Sequence, residues 1–180
     1  MSPLKLLPLL VLAACSSAPP APPADAMQMP PPTAQHKLLL EGVGTWEGTL
    51  TMWMPGQPEQ KIVAREVIEP LGDYWTRSKF TCDYMGMPFE GTATMGYDPV
   101  KKRYVGTWVD NMTMELAVME GEMSADGKTL VMKWTARDPA TGEPTPNRSE
   151  TVRSGDSTAS TFFHGTGQGT KSMLIEMKRK

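Results

Sequence analysis

Three methionine pairs sit where a strand would meet a turn: Met52 and Met54, Met85 and Met87, Met112 and Met114; a fourth, Met27 and Met29, lies nearer the N-terminus. Along a β-strand, residues two apart point to the same face. Each Met-x-Met pair on a strand therefore presents two thioethers together. Three chemistries fit that arrangement in a chain with 15 methionines. Methionine fills irregular gaps in a core. It also makes a pliable lining for an apolar or amphipathic ligand. Thioethers suit Cu(I), to which His164 would add an imidazole. The residue types leave all three open.

Asp110 shares a period-two face with Trp108 and Tyr104, which the pattern predicts to be inward. An inward carboxylate needs a partner. Arg77, Arg103, Arg137 and Arg148 are the candidates, and a turn at the barrel mouth is the other reading. His164 is the one plausible inward histidine, so a haem-binding alternative would rest on it. His36 belongs to a helix that it caps or solvates. Cys82 reads as a small buried apolar residue rather than a nucleophile. The chain contains no Gly-x-Ser-x-Gly elbow, no His-Glu-x-x-His and no Cys-x-x-Cys. No catalytic residue is assigned and the cofactor is unknown. The pocket candidates are the three mouth methionine pairs with Tyr104, Trp108, Asp110 and His164.

The elements that must position these residues are short. Thr33 can cap a helix over 34–41, closed by Gly42. Period-two segments follow at 46–54, 61–69, 74–83, 89–97, 103–111, 114–123, 129–137, 148–153, 157–163 and 172–179. Turn residues such as Pro55-Gly56, Asp98-Pro99 and Asp126-Gly127 separate them. Short strands at regular spacing, with no helix between them, predict an all-β, up-and-down antiparallel barrel of about ten strands with a short N-terminal helix. Closure removes exposed edges and leaves room for a small ligand. In such a meander the odd strands all end at one mouth, which gathers the three Met-x-Met pairs and His164. Trp46 and Arg179 fall together at the opposite, closed end, where a guanidinium over an indole would lock the seam.

Upstream, Leu12-Ala13-Ala14-Cys15 ends a short apolar run behind Lys5. A charged start, a brief apolar stretch and small residues before a cysteine resemble a bacterial lipoprotein signal. The stretch is too short to span a bilayer, which takes about 20 apolar residues. Residues 1–14 are thus expected to be a signal peptide. Cys15 is the expected lipidation site, and 15–32 a Pro/Ala-rich tether. Residues 33–180 form the barrel domain. The expected location is extracytoplasmic and membrane-anchored, on the periplasmic face of the outer membrane in a Gram-negative cell. A formal net charge of -2 with no long basic run argues against nucleic acid. The expected partners are the membrane, through Cys15, and a small apolar or amphipathic ligand. A structural envelope protein is a further alternative.

A wider set of motifs adds a family. His36-Lys37-Leu38, Gly44-Thr45-Trp46-Glu47-Gly48 and Phe89-Glu90-Gly91 are followed by Gly96-Tyr97-Asp98 and Trp108-Val109-Asp110. Asp138-Pro139 with Gly142 completes the set. Together they resemble the bacterial domain-of-unknown-function family 1579, over nearly all of 34–180. The resemblance implies a lipocalin-like fold and frequent export, and no reaction. One departure is visible: where such sequences often end in Tyr-x-Arg, this chain has Met177-Lys178-Arg179.

Overall fold

The computed structural model describes residues 29–138 and 141–180. The chain divides into Met1–Pro31 and Pro32–Lys180. Of the first unit, residues 29–31 are described; they are exposed and carry no regular secondary structure. The expected signal peptide, Cys15 and Met27 lie outside the described residues.

The second unit opens with a short helix, α1 (Ala34–Leu40). Ten strands follow: β1 (Gly44–Met52), β2 (Gln60–Leu71), β3 (Trp75–Tyr84), β4 (Met87–Asp98) and β5 (Arg103–Asp110), then β6 (Ala117–Met123), β7 (Thr129–Arg137), β8 (Pro144–Ser154), β9 (Ser157–His164) and β10 (Thr170–Arg179). Each pairs antiparallel with the next, and β1 pairs with β10. The sheet is a closed, up-and-down antiparallel barrel. Every strand edge is therefore satisfied by a neighbour.

The register separates the two faces. Trp46, Gly48, Leu50 and Met52 on β1 lie opposite Glu66, Ala64, Ile62 and Gln60 on β2. The same parity carries Phe80 and Cys82 on β3, then Phe89 and Gly91 on β4, to the inside. It continues through Tyr104, Trp108 and Asp110 on β5. Trp46, Leu50, Ala64, Phe80 and Met177 form the buried core, with Met52, Ile62, Ile68, Met173 and Ile175 packed against it. Gly91 belongs to this pattern for lack of a side chain: a Cβ there would stand 2.1 Å from the Trp108 ring. The outer face carries cross-strand ion pairs such as Lys79–Glu90 (2.7 Å) and Lys101–Glu120 (2.7 Å). Exposed pairs of this kind add little stability each, but they agree with the register.

The closed end is built around the C-terminus of α1. The Trp46 indole donates to Gly42 O at 2.9 Å. Arg153 donates to Leu38 O at 3.1 Å, and Arg179 to Glu41 O at 2.6 Å and to Val43 O. Carbonyls left over at a helix C-terminus thus meet two guanidiniums, which also oppose the negative end of the helix dipole. At the other end of α1, His36 Nδ1 accepts from the Thr33 backbone N–H at 3.0 Å. That leaves Nε2 as the donor to Tyr97 O at 2.9 Å. His36 is buried, edge-on to Tyr74 and Tyr97. It fastens the helix to β4.

Several strand bounds differ from the sequence pattern, β1 for one running Gly44–Met52 and so leaving Met54 outside it. β6 begins at Ala117, so Met114 lies in the loop before it. The Asp110 carboxylate accepts from the Met112 and Thr113 backbone N–H groups, at 2.9 and 2.7 Å, and turns the chain there. β8 begins at Pro144, before the expected 148, because 144–147 pair with β7. β10 begins at Thr170, and a bulge between Lys171 and Met173 resets its register.

Candidate functional site

The inward face is not filled evenly. Inward residues such as Trp46, Leu50, Ala64, Phe80, Tyr104, Met132, Ser149 and Met177 are buried, and other inward positions keep some accessible surface. Ala93, Trp108, Met119, Trp134, Thr151, Ser160 and Phe162 are all only partly buried. These partly buried inward positions are the candidate site.

One wall is aromatic. Phe80, Phe89 and Trp108 have ring centroids 6.1 to 6.4 Å apart, with Phe89 and Trp108 nearly parallel. Such contacts stabilise beyond area burial. Trp134 and Phe162 meet edge to face at 6.3 Å across the barrel seam of β7 to β9. Between the walls lie polar groups. Thr151 and Ser160 share a hydrogen bond of 2.9 Å. Glu66 projects inward from the middle of β2, beside Trp46 and Phe80. Desolvation pushes its carboxyl above the ordinary 4.5, and a hydrogen bond from Ser78 pulls the other way. No ion pair reaches Glu66 among the described residues.

At the mouth, His164 bridges β9 to the β7–β8 connection. Its Nδ1 is 2.8 Å from Asn147 Oδ1 and its Nε2 is 2.8 Å from Asp138 Oδ2. Asn147 Nδ2 donates to Thr145 O at 2.9 Å, which orients the amide oxygen toward the imidazole. Both ring nitrogens are therefore engaged, and neither is free to ligate a metal or a haem iron without giving up a partner. Among the described residues, no group of three or more His, Cys, Asp or Glu side chains could hold a metal ion.

The mouth methionines do not converge as expected. Met52 packs against the core and Met54 accepts from the Tyr84 hydroxyl. Met85, Met87, Met112 and Met114 are exposed, Met114 completely. The period-two rule governs residues on strands, and these four sit on or beside turns: Met85 has φ +55°, and Met112 and Met114 follow the Asp110 turn. No described contact joins them to His164. Two surface hollows, of about 760 and 450 Å³, are lined by none of the six.

Three other expectations are refined. Asp110 is held by the Trp108 indole (2.9 Å) and by backbone N–H groups, not by an arginine. The four candidate arginines are spent elsewhere: Arg77 on Glu69, Arg103 on Glu122, Arg137 on Glu115 and Arg148 on Glu150. Tyr104 is fully packed near the closed end, far along β5 from the mouth, and its buried hydroxyl has no hydrogen-bond partner. Trp108 is partly buried and packs against the core cluster. Cys82 is partly buried, and burial pushes its thiol upward, away from the reactive thiolate.

Sequence reasoning missed Glu66, Ser78, Asn147 and Asp138 as site residues. Glu66 is masked by its strand. Val63 and Val67 are apolar but outward, Val63 strongly exposed, so β2 looks apolar on both faces. The parity set by Leu50 opposite Ile62 would have resolved it.

A family model described as "Protein of unknown function (DUF1579)" matches residues 31–180. A comparison with curated proteins finds no match. Among solved structures, the chain is similar to the crystal structure of Rv2717c from M. tuberculosis, with a TM-score of 0.63 and 13% identity, over 83% of this chain and 99% of that one. At that identity the likeness speaks for the fold alone.

Proposed function

This chain belongs to the DUF1579 family, and from that premise we propose that it is a lipid-anchored, extracytoplasmic carrier that binds a small apolar or amphipathic ligand inside its barrel. The observation that carries the reading is the set of inward side chains with accessible surface, centred on Trp108, Phe162 and Trp134. Binding sites of this class combine apolar walls with a few placed polar groups. Phe80, Phe89 and Trp108 supply the wall, and Glu66, Thr151 and Ser160 the polar groups. A lipocalin-like mode of use, with one end plugged and the other open, fits α1 at the Trp46 end.

The anchoring half of the proposal rests on Leu12-Ala13-Ala14-Cys15. Acyl chains on Cys15 would hold the protein at a membrane, each buried CH₂ adding about 0.8 kcal/mol. Metal and haem binding at His164 gain no support, since both its ring nitrogens are engaged.

Native mass spectrometry of the full chain, after incubation with membrane lipid extract, tests the ligand half. A small molecule retained by the folded protein and lost on unfolding is expected. Fractionation of the wild type and Cys15→Ala tests the anchor. The wild type should follow the membrane and the variant should not; a wild-type chain that is uncleaved and soluble in the cytoplasm would end the lipoprotein reading.

A further inference from the structure

We infer that the mouth rim is a modification site: Met85, Met87, Met112 and Met114 are surface thioethers that consume two-electron oxidants of the hypohalous acid class and are restored by reduction. The role is separate from any ligand in the barrel.

The four side chains are exposed, from 41% at Met112 to 104% at Met114. They stand on or beside two turns that are fastened side by side. Asn111 Nδ2 donates to Pro88 O at 2.9 Å, and Asn111 Oδ1 accepts from the Glu90 N–H at 3.0 Å. The Asn111 backbone N–H donates to Glu90 O at 3.0 Å. Carboxylates hold each turn from within. Asp83 accepts from the Gly86 N–H at 2.6 Å, and Asp110 accepts from those of Met112 and Thr113. Carboxylates and amides react far more slowly with such oxidants than thioethers do. None of the four methionines belongs to the core cluster or packs against it. The turns therefore keep their shape while their sulfurs are oxidised.

The methionines of the barrel wall show the contrast. Met132 and Met177 are 4% and 3% exposed, and Met52 and Met173 pack against the core. A sulfoxide is polar and disrupts a core. Cys82 competes weakly, because it is partly buried and burial keeps its thiol protonated. An oxidant that meets the rim finds sulfur whose oxidation leaves the packing intact.

With hypochlorous acid, the thioether sulfur gives an electron pair to chlorine and the O–Cl bond breaks, releasing hydroxide. Water then adds its oxygen to the chlorosulfonium sulfur, and chloride and two protons leave. The net change converts one thioether and one hypochlorous acid into one sulfoxide, one chloride and one proton. Sulfur is oxidised by two electrons and chlorine is reduced by two. Methionine sulfoxide reductases reverse the change with two electrons and two protons from a dithiol, releasing water, so the rim can be used again.

The test treats the full chain at neutral pH with about one to four equivalents of hypochlorous acid, followed by peptide mass mapping and urea unfolding. Sulfoxide should form at the four rim positions at least about tenfold faster than at Met132 and Met177. The urea midpoint of the oxidised chain should match that of the untreated chain. A chain carrying Met85→Leu, Met87→Leu, Met112→Leu and Met114→Leu should consume correspondingly less oxidant. In cells given a brief dose of hypochlorous acid, with protein synthesis then blocked, rim sulfoxides should appear and then disappear from the same chains. The role is overturned if the core methionines oxidise as fast as the rim, or if the oxidised chain loses stability. It is also overturned if the sulfoxides persist in the cell, which would make them damage. The wild-type maps decide by themselves if the variant does not fold.

Discussion

Trp46 and Arg179 are opposite one another across the seam that closes the barrel, with the guanidinium carbon 4.4 Å from the centre of the indole. The first residues of β1 thus meet the last of β10. Arg179 also donates to Glu41 O and Val43 O and pairs with Asp156 at 3.0 Å. One side chain therefore ties the seam, the helix exit and the β8–β9 turn. Gly44 makes room for it: its φ is +145°, and a Cβ there would stand 2.8 Å from Arg179 Nη1.

Arg179→Ala is expected to lower stability by about 1–2 kcal/mol, through lost cation–π contact and unpaired helix carbonyls. Arg179→Lys should recover only part of this, because an ammonium cannot serve two carbonyls and an indole face with a planar fork. Urea unfolding of the two variants measures both. A loss under about 0.3 kcal/mol for Arg179→Ala would mean the contact is dispensable.

The seam was legible from sequence because strand parity needs only a count of strands. Turn residues mark each end, and ten strands bring β1 and β10 together. The mouth was less legible. Met85, Met87, Met112 and Met114 match a two-residue period, but turn geometry, not strand geometry, sets their direction. Asp110 reads as an inward acid in need of an arginine. Its partners are backbone N–H groups two and three residues on, which any sequence could supply. Glu66 was hidden because Val63 and Val67 make the outer face of β2 look like a core face.

The exposed methionines should therefore be thermodynamically silent. Single Gln substitutions at Met85, Met87, Met112 or Met114 are expected to shift stability by less than about 0.5 kcal/mol. Met52→Ala should cost roughly 2 kcal/mol, as it packs against the core. Chemical denaturation of the five variants separates the two groups. A cost above about 1 kcal/mol at Met114 would show that the rim packs against something.

Glu66 should leave a signature in the dependence of stability on pH. Its folded pKa is raised above the ordinary 4.5, so the native state holds the proton more tightly than the unfolded chain. The unfolded state binds fewer protons between the two values, and stability falls as pH rises through that window. Below 4.5 the penalty is absent, and above the folded pKa it is complete. Glu66→Gln has no such proton to lose. Unfolding curves across acid and neutral pH should show the variant losing less stability than the wild type as pH rises. Parallel profiles would place Glu66 in water.

The central claim is that the barrel interior is hollow and takes a ligand, and Ser160→Phe tests it most directly. Ser160 faces inward from β9 with accessible surface. In a hollow barrel the added ring fills space, so the variant should fold with stability within about 1 kcal/mol of the wild type. It should also lose most of the dodecanol binding that the wild type shows. A well-packed interior would instead lose about 1–3 kcal/mol to overpacking. The account is contradicted if Ser160→Phe is destabilised in that way, or if it binds dodecanol as the wild type does.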